Sequence, residues 1–389
     1  MFGKLFRKTP LAWLQVKREK TRLAVALAGI AFADVLMLVQ MGLQDSLYDS
    51  AVGPYRVLQG DLFLVTPKFE SLGLVKSFPR QRLYQAAGVD GVKSITSLYI
   101  ERAQWRNPQT QSESNIQLFG IDPNEPAIKL PEVNQHLGEL KLLNRILFDR
   151  TGRESQLGNI AELLKQSNSV SVQMNKRDVK LIGTFVLGAT FTADGNAITS
   201  SSTFLRLFPN RQPHEIDVGV LNVKPGVDSK QVQATLQSNL PRDVLVLTQE
   251  ELVNRERKYW STGSPIGFIF GFGAIIGFVV GTVIVYQILY SDVSDHLPEY
   301  ATLKAMGYDD AYLIGILIQE SLILAILGFV PGFLLSAGLY YVAATATLLP
   351  IGMTVNRAVL VLGLTIIMCT ASGAIAMQKL QSADPADIF

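Results

Sequence analysis

Cysteine is nearly absent: Cys369 is the only one in 389 residues, so no internal disulfide framework can form. Charge is thin as well, 17% of residues where an ordinary soluble domain carries roughly a quarter. Hydrophobic residues make up 48%, which excludes a disordered chain, since disorder needs low hydrophobicity and high net charge. A formal net charge of +2 gives no support to a nucleic-acid binder, which usually shows a strongly basic face. Histidine is scarce too. His136, His214 and His296 stand far apart, and H-E-x-x-H, C-x-x-C, G-x-S-x-G and G-x-x-x-x-G-K-[ST] are all missing. Those gaps leave no catalytic residue and no metal ligand set to name, and no P-loop to bind ATP in this chain. What remains is a membrane protein with a sizeable domain attached.

The charged residues leave four long gaps. Only Asp34 interrupts the run after Arg22, none falls between Tyr259 and Ser291, only Glu320 lies between Ala311 and Asn356, and none lies between Ala358 and Gln378. About 20 apolar residues cross a bilayer, so helices are expected at 23–43, 263–290 (its helix near 266–290), 312–340 and 356–377. A cleaved signal would need a shorter apolar core and a small-residue cleavage site, and the first run has neither. Pro331 falls inside the third run, where a membrane helix tolerates it as a kink, so one kinked span followed by a short loop, 341–355, is expected.

Orientation follows the Lys and Arg near the ends. Lys4, Arg7, Lys8, Lys17, Arg18, Lys20 and Arg22 crowd the segment 1–22, which places it in the cytoplasm. Residues 44–262 are then outside, 291–311 inside, and the tail 378–389 inside, giving an inner-membrane protein with both termini cytoplasmic.

Within 44–262, strand-like runs occur at Leu62–Val65, Val92–Ile100, Ile116–Ile121, Leu181–Leu187, Ile216–Val223 and Val244–Leu247. Helical periodicity occurs at Glu139–Phe148, Leu157–Gln166, Ser229–Leu240 and Gln249–Tyr259. The fold class is therefore membrane α-helical, with four transmembrane helices and a large α+β extracytoplasmic domain between helices 1 and 2. Thr248 ahead of Gln249-Glu250-Glu251 reads as an N-cap. That helix, running on towards Gly263, and the first span, continuing through Gln44–Tyr48, would leave the membrane together as a stalk.

Between the second and third spans, Pro298 suits a first helical turn, Glu299 and Lys304 match the macrodipole, and Gly307 suits a C-terminal cap. A short helix presenting Tyr300, Leu303 and Met306 is expected. Its flanks are acidic, whereas a membrane-surface helix carries a Lys/Arg-rich face, so a protein partner fits better than lipid. Asp34 costs about 2.5–3.5 kcal/mol at mid-membrane, which the surrounding Leu, Ile, Val and Phe offset at about 0.3–0.6 kcal/mol each. It must face protein or water, either as a functional group or as a buried structural one. Glu320 is the second intramembrane carboxyl. Gly267, Gly271, Gly273, Gly277 and Gly281 in span two, with Gly328 and Gly332 in span three, allow close helix approach, within one subunit or between two copies.

The segment Glu299-Tyr300-Ala301-Thr302-Leu303-Lys304-Ala305-Met306-Gly307 resembles the E-x-A-x-L-[RK]-A-x-G signature of the FtsX/MacB superfamily of permeases. One span, a large outer domain and three further spans resemble the same group over the whole chain. Gln319-Glu320-Ser321, Phe119-Gly120-Ile121-Asp122-Pro123 and Asp384-Pro385-Ala386 are similar to its other motifs, and the opening through Leu72 resembles DevC-type permeases of cyanobacterial tripartite exporters. The sequence departs from the wider pattern at Pro298, at Asp34, and in lacking a basic run after the fourth span.

The resemblance implies a non-catalytic permease subunit of a mechanotransmission-type (type VII) ABC exporter. Its coupling helix, Glu299 to Gly307, would dock on a separate cytoplasmic ATPase that binds ATP and magnesium, with no cofactor in this chain. Two copies would pair, and the outer domains would act on a periplasmic membrane-fusion adaptor and a TolC-like outer-membrane channel, with lipid or glycolipid as cargo class. The alternative is an FtsX-like signalling protein that regulates a periplasmic cell-wall hydrolase.

Overall fold

The computed structural model describes residues 20–167 and 169–382, and of residues 300, 301, 310, 311 and 377–382 the backbone alone. Most of the basic segment 1–22, the Asp384-Pro385-Ala386 motif and the Tyr300 side chain lie outside the described residues. Two units are distinct: a helical one of Met1–Asp45, Ile266–Ala344 and Ile351–Phe389, and an α+β one of Ser46–Pro265 and Thr345–Pro350.

Among the described residues, four helices are long and apolar enough to cross a membrane. They are Lys20–Val52, Pro265–Asp295, Asp310–Thr347 and Val355–Ser382, here called the first to fourth span helices. Each is longer than its apolar run, because helix hydrogen bonding continues past the residues that hydropathy marks. Pro331 sits inside one uninterrupted helix. The first span helix lies at the centre of the packing. Gly281 of the second approaches Ala33, and a Cβ there would stand 2.5 Å from the Ala33 Cβ. Gly328 and Gly332 of the third face Ile30, and Ala31 with Asp34, in the same way, while Gly277 faces Leu36 and Met37. Gly267 is buried and its carbonyl accepts from Gln44 Nε2 at 3.4 Å. A Cβ on Gly271 would meet nothing within 4 Å. These close approaches lie within one subunit.

The α+β unit is built on β1 (Leu62–Val65), β2 (Phe78–Pro79), β3 (Val92–Arg106), β4 (Glu113–Ile121), β5 (Arg145–Asp149), β6 (Val170–Met174), β7 (Arg177–Phe185), β8 (Asn196–Ser200), β9 (Glu215–Ile216), β10 (Val218–Val223) and β11 (Leu245–Thr248). Nine of them form one mixed sheet in the order β11-β1-β10-β3-β4-β8-β5-β7-β6, and β2 pairs with β9. β4–β8 and β5–β7 are parallel, and the other pairs are antiparallel. The long β3 serves twice. Its first half pairs with β10 and its second with β4, while Trp105 and Arg106 also meet Met174 and Gln173 of β6. Six strands thereby close on themselves, which removes exposed edges. Trp105 lies inside against Phe148, ring centroids 4.7 Å apart, and its indole N–H donates to Leu157 O at 3.0 Å. The remaining edge, β11, is blunted by Gln233 and Gln237, which both donate to Val246 O.

One expectation fails here. Glu139–Phe148 is not one helix: a short helix, Leu137–Leu140, is followed by β5. Asn144 takes φ +61, which no helix continues through, and its N–H is held by Thr203 Oγ1 at 3.0 Å. Ile146 and Phe148 face one core and Leu147 the other. A short apolar run satisfies both periodicities, and burial on both faces selects the strand. β6 and β8 lie outside the expected strands altogether. β8 reads Asn-Ala-Ile-Thr-Ser, a polar string, yet every residue of it is buried.

Candidate functional site

The segment joining the second and third span helices is a helix, Leu297–Ala305, set off by His296. Pro298 is in its first turn. Gly307 adopts φ +93, its N–H bonds Lys304 O at 3.0 Å, and Tyr308 N–H bonds Leu303 O at 3.2 Å. This paired closure is a Schellman cap, and the left-handed residue in it is the one glycine accommodates without penalty. Leu297 and Leu303 pack on the apolar cluster of Leu289, Val293, Leu313 and Leu317, so Leu303 seats the helix instead of being presented outward. Met306 is 63% exposed, and Glu299, Thr302 and Lys304 are exposed with it. Tyr308 stacks on Tyr312 at 4.8 Å.

A charge network underlies this helix. Arg22 of the first span helix pairs with Asp292 at 3.3 Å and with Asp295. His296 Nδ1 lies 3.6 Å from the Asp292 carboxylate, and Glu320 of the third span helix is buried against Asp292. Glu320 thus joins the ends of three span helices through Asp292. Neither Arg22 nor Asp292 stands out in sequence as a partner, because their separation along the chain carries no periodic signal.

Asp34 is fully buried, at 0% exposure. Thr365 Oγ1 of the fourth span helix lies 2.5 Å from Asp34 Oδ1, and Oδ2 has no partner. Further along the bundle Arg357 holds Asp45, with Nη2 2.5 Å from Oδ2, and donates to Tyr340 Oη at 3.2 Å and Gly352 O at 2.9 Å. Tyr340 Oη in turn donates to Leu38 O. First, third and fourth span helices are joined by this second cluster, which sequence inspection does not single out.

In the α+β unit the stalk-side helix Gln249–Lys258 opens with a full capping box: Thr248 Oγ1 accepts from Glu251 N, and Glu251 Oε2 accepts from Thr248 N. It does not run unbroken into the second span. Tyr259–Gly263 forms a π-turn, and Ser264 is extended at φ −114, ψ 148. Glu256 is the hub at its end, 2% exposed. It accepts from Tyr55 Oη (2.5 Å), Leu72 N (2.9 Å) and Trp260 Nε1 (2.7 Å). Burial pushes the Glu256 carboxyl up to about 7, against the pull of these three donors. Burial, followed by the Glu256 charge, pushes the Tyr55 phenol well above its usual value. Among the described residues no three His, Cys, Asp or Glu side chains converge as a metal site.

These features define a class: a multi-pass membrane protein with an α+β unit between its first two spans and a short capped helix between its second and third. Residues 267–385, which carry that short helix and the spans around it, match the family described as FtsX-like permease C-terminal. The chain is also similar to two solved structures. One is the extracellular domain of the noncanonic ABC-type transporter YknZ from Gram-positive bacteria: 15% identity, 49% of this chain, 99% of that chain, TM-score 0.33. The other is the periplasmic region of MacB from Actinobacillus actinomycetemcomitans: 12% identity, 50% of this chain, 91% of that chain, TM-score 0.34.

Proposed function

We propose that this chain is the non-catalytic permease subunit of a mechanotransmission-type ABC exporter, working as a pair of copies in the inner membrane. The observation that carries the reading is the capped helix Leu297–Ala305 inside the FtsX-like segment 267–385. It is seated by Leu297 and Leu303, leaves Met306 exposed, and is tied by Asp292 and Glu320 to three span helices. A push on such a helix reaches the bundle through packed side chains and ion pairs, which are the physical carriers of coupling. The basic residues ahead of the first span support a cytoplasmic position for this helix, where an ATPase carrying ATP and magnesium would dock. The α+β unit then lies in the periplasm and acts on an adaptor and an outer-membrane channel. A lipid or glycolipid cargo follows from the DevC-type resemblance.

Affinity purification in mild detergent tests this. An ATPase subunit should copurify with the wild-type chain, and Met306→Asp combined with Glu299→Lys should reduce its recovery at least tenfold while membrane insertion stays unchanged. Undiminished ATPase recovery with that double variant would refute the docking assignment. Recovery of a cell-wall hydrolase in place of an adaptor would instead support the regulatory reading.

A further inference from the structure

The loop 186–195, between β7 and β8, is partly buried. Ala189, Thr190 and Ala193 are buried, and Ala193 N–H bonds Thr190 Oγ1 at 3.2 Å. Val186, at the start of the loop, and Phe191, at its middle, are exposed, at 39% and 42%. The Phe191 ring stands edge-on to Trp260 at 6.1 Å between centroids, and Trp260 stands edge-on to Tyr259 at 5.2 Å. Trp260 lies just ahead of Pro265, where the second span helix begins. On the other side of the loop, Arg153 donates to Thr190 O and to Thr347 O, both at 3.4 Å. Thr347 is the last residue of the third span helix. Arg153 is itself fixed by Asp194 at 2.7 Å. The exposed ring therefore meets Trp260 directly, and its neighbour Thr190 is tied through Arg153 to Thr347, the last residue of the third span helix.

We propose that Phe191, backed by the buried Trp260 and flanked by the half-buried Tyr259, is a bilayer anchor, and that its partner is the boundary between headgroups and acyl chains of a phospholipid membrane. The inference rests on the four-span reading. Aromatic side chains concentrate at that depth, where one part of the ring meets hydrocarbon and another meets polar groups. The exposed Lys258, next to Tyr259, adds a cation at the level of lipid phosphates. Thr190 and Thr192 flank Phe191 with short polar side chains, so the ring alone can enter hydrocarbon. The anchor holds the loop at the membrane surface, and any motion that lifts the loop must first extract the ring.

The test uses the full chain in nanodiscs of phosphatidylethanolamine and phosphatidylglycerol, with Cys369→Ala as background. A nitroxide is placed at Phe191→Cys, at Tyr84→Cys as an aqueous reference and at Ile275→Cys as a hydrocarbon reference. Tyr84 and Ile275 are both exposed in the structure. Collision rates with oxygen and with a water-soluble nickel chelate are then read for each site. At 191 the oxygen-to-nickel ratio should exceed that at 84 several-fold and fall short of that at 275. A ratio at 191 equal to that at 84 overturns the anchor, and so does protection from both reagents, which would mean that protein covers the ring. If position 275 itself reads as aqueous, the membrane assignment of the second helix fails, a result distinct from failure of the anchor alone.

Discussion

Glu256 makes the pH response of the α+β unit predictable. Its carboxyl is raised from 4.5 to about 7 by burial, so the folded state binds the proton more tightly than the unfolded state. Stability then falls as pH rises between those two values, and this group's contribution is fully present below the lower value and lost through the upper one. At about 1.4 kcal/mol per pH unit, a shift of this size is worth roughly 3 kcal/mol across the window. The group is almost completely buried, so solvent screening removes little of it. Glu256→Gln abolishes the titration and keeps an acceptor for Trp260 or Leu72, while Tyr55 can turn its hydroxyl to accept from the new amide. The constant offset of that substitution is unimportant. What matters is that the stability of the Gln variant relative to wild type rises by about 3 kcal/mol from pH 5 to pH 8. Hydrogen exchange on the full chain in nanodiscs, corrected for intrinsic rates, reads this at 70–74 and 249–258, the segments that the Leu72 N–H bond and the helix share. If wild type and Glu256→Gln show the same slope, Glu256 is not the titrating group and the argument from burial is wrong.

Three further perturbations follow from the packing. Gly332→Leu drives a side chain into Ala31 and Asp34 and should destabilise the bundle by about 1–3 kcal/mol, read as a lower melting temperature in detergent, whereas Gly271→Leu, with open space around it, should not. Asp149 accepts from Thr151 N at 3.0 Å, Gly188 N at 2.9 Å and Asn196 Nδ2 at 2.8 Å; Asp149→Ala removes the acceptor that these donors share, with Asn196 Nδ2 keeping only Gly188 O, costing about 1–3 kcal/mol and raising exchange at 186–195 specifically. Replacing Gln233 and Gln237 together with Ala frees Val246 O on the β11 edge and should raise the tendency of the chain to aggregate in detergent without altering the spans, as an uncapped edge strand permits.

The sequence made the four apolar helices legible because burial in lipid demands an uninterrupted run, a property of neighbours along the chain. The short apolar runs of β1, β10 and β11 were legible for the same local reason. β8 was not, because its Asn, Thr and Ser are buried with partners supplied by other segments. Asn196 Nδ2 reaches Asp149 and Gly188 O, and Thr199 Oγ1 reaches Arg145 O. The sites behave likewise. Pro298 and Gly307 could be placed from sequence because helix ends are coded by adjacent residues, and the capping box at Thr248 and Glu251 is a three-residue signal. Glu256, by contrast, looks like one more carboxylate on a polar helix until Tyr55 and Leu72 arrive from the far end of the chain. Arg357 looks like a flanking cation until Asp45 meets it. The hidden groups share a physical character: each is a polar residue whose burial is tolerable only because partners remote in sequence satisfy it. They sit where separate segments must be held together, so in this fold the residues least visible in the sequence join segments that lie far apart along the chain.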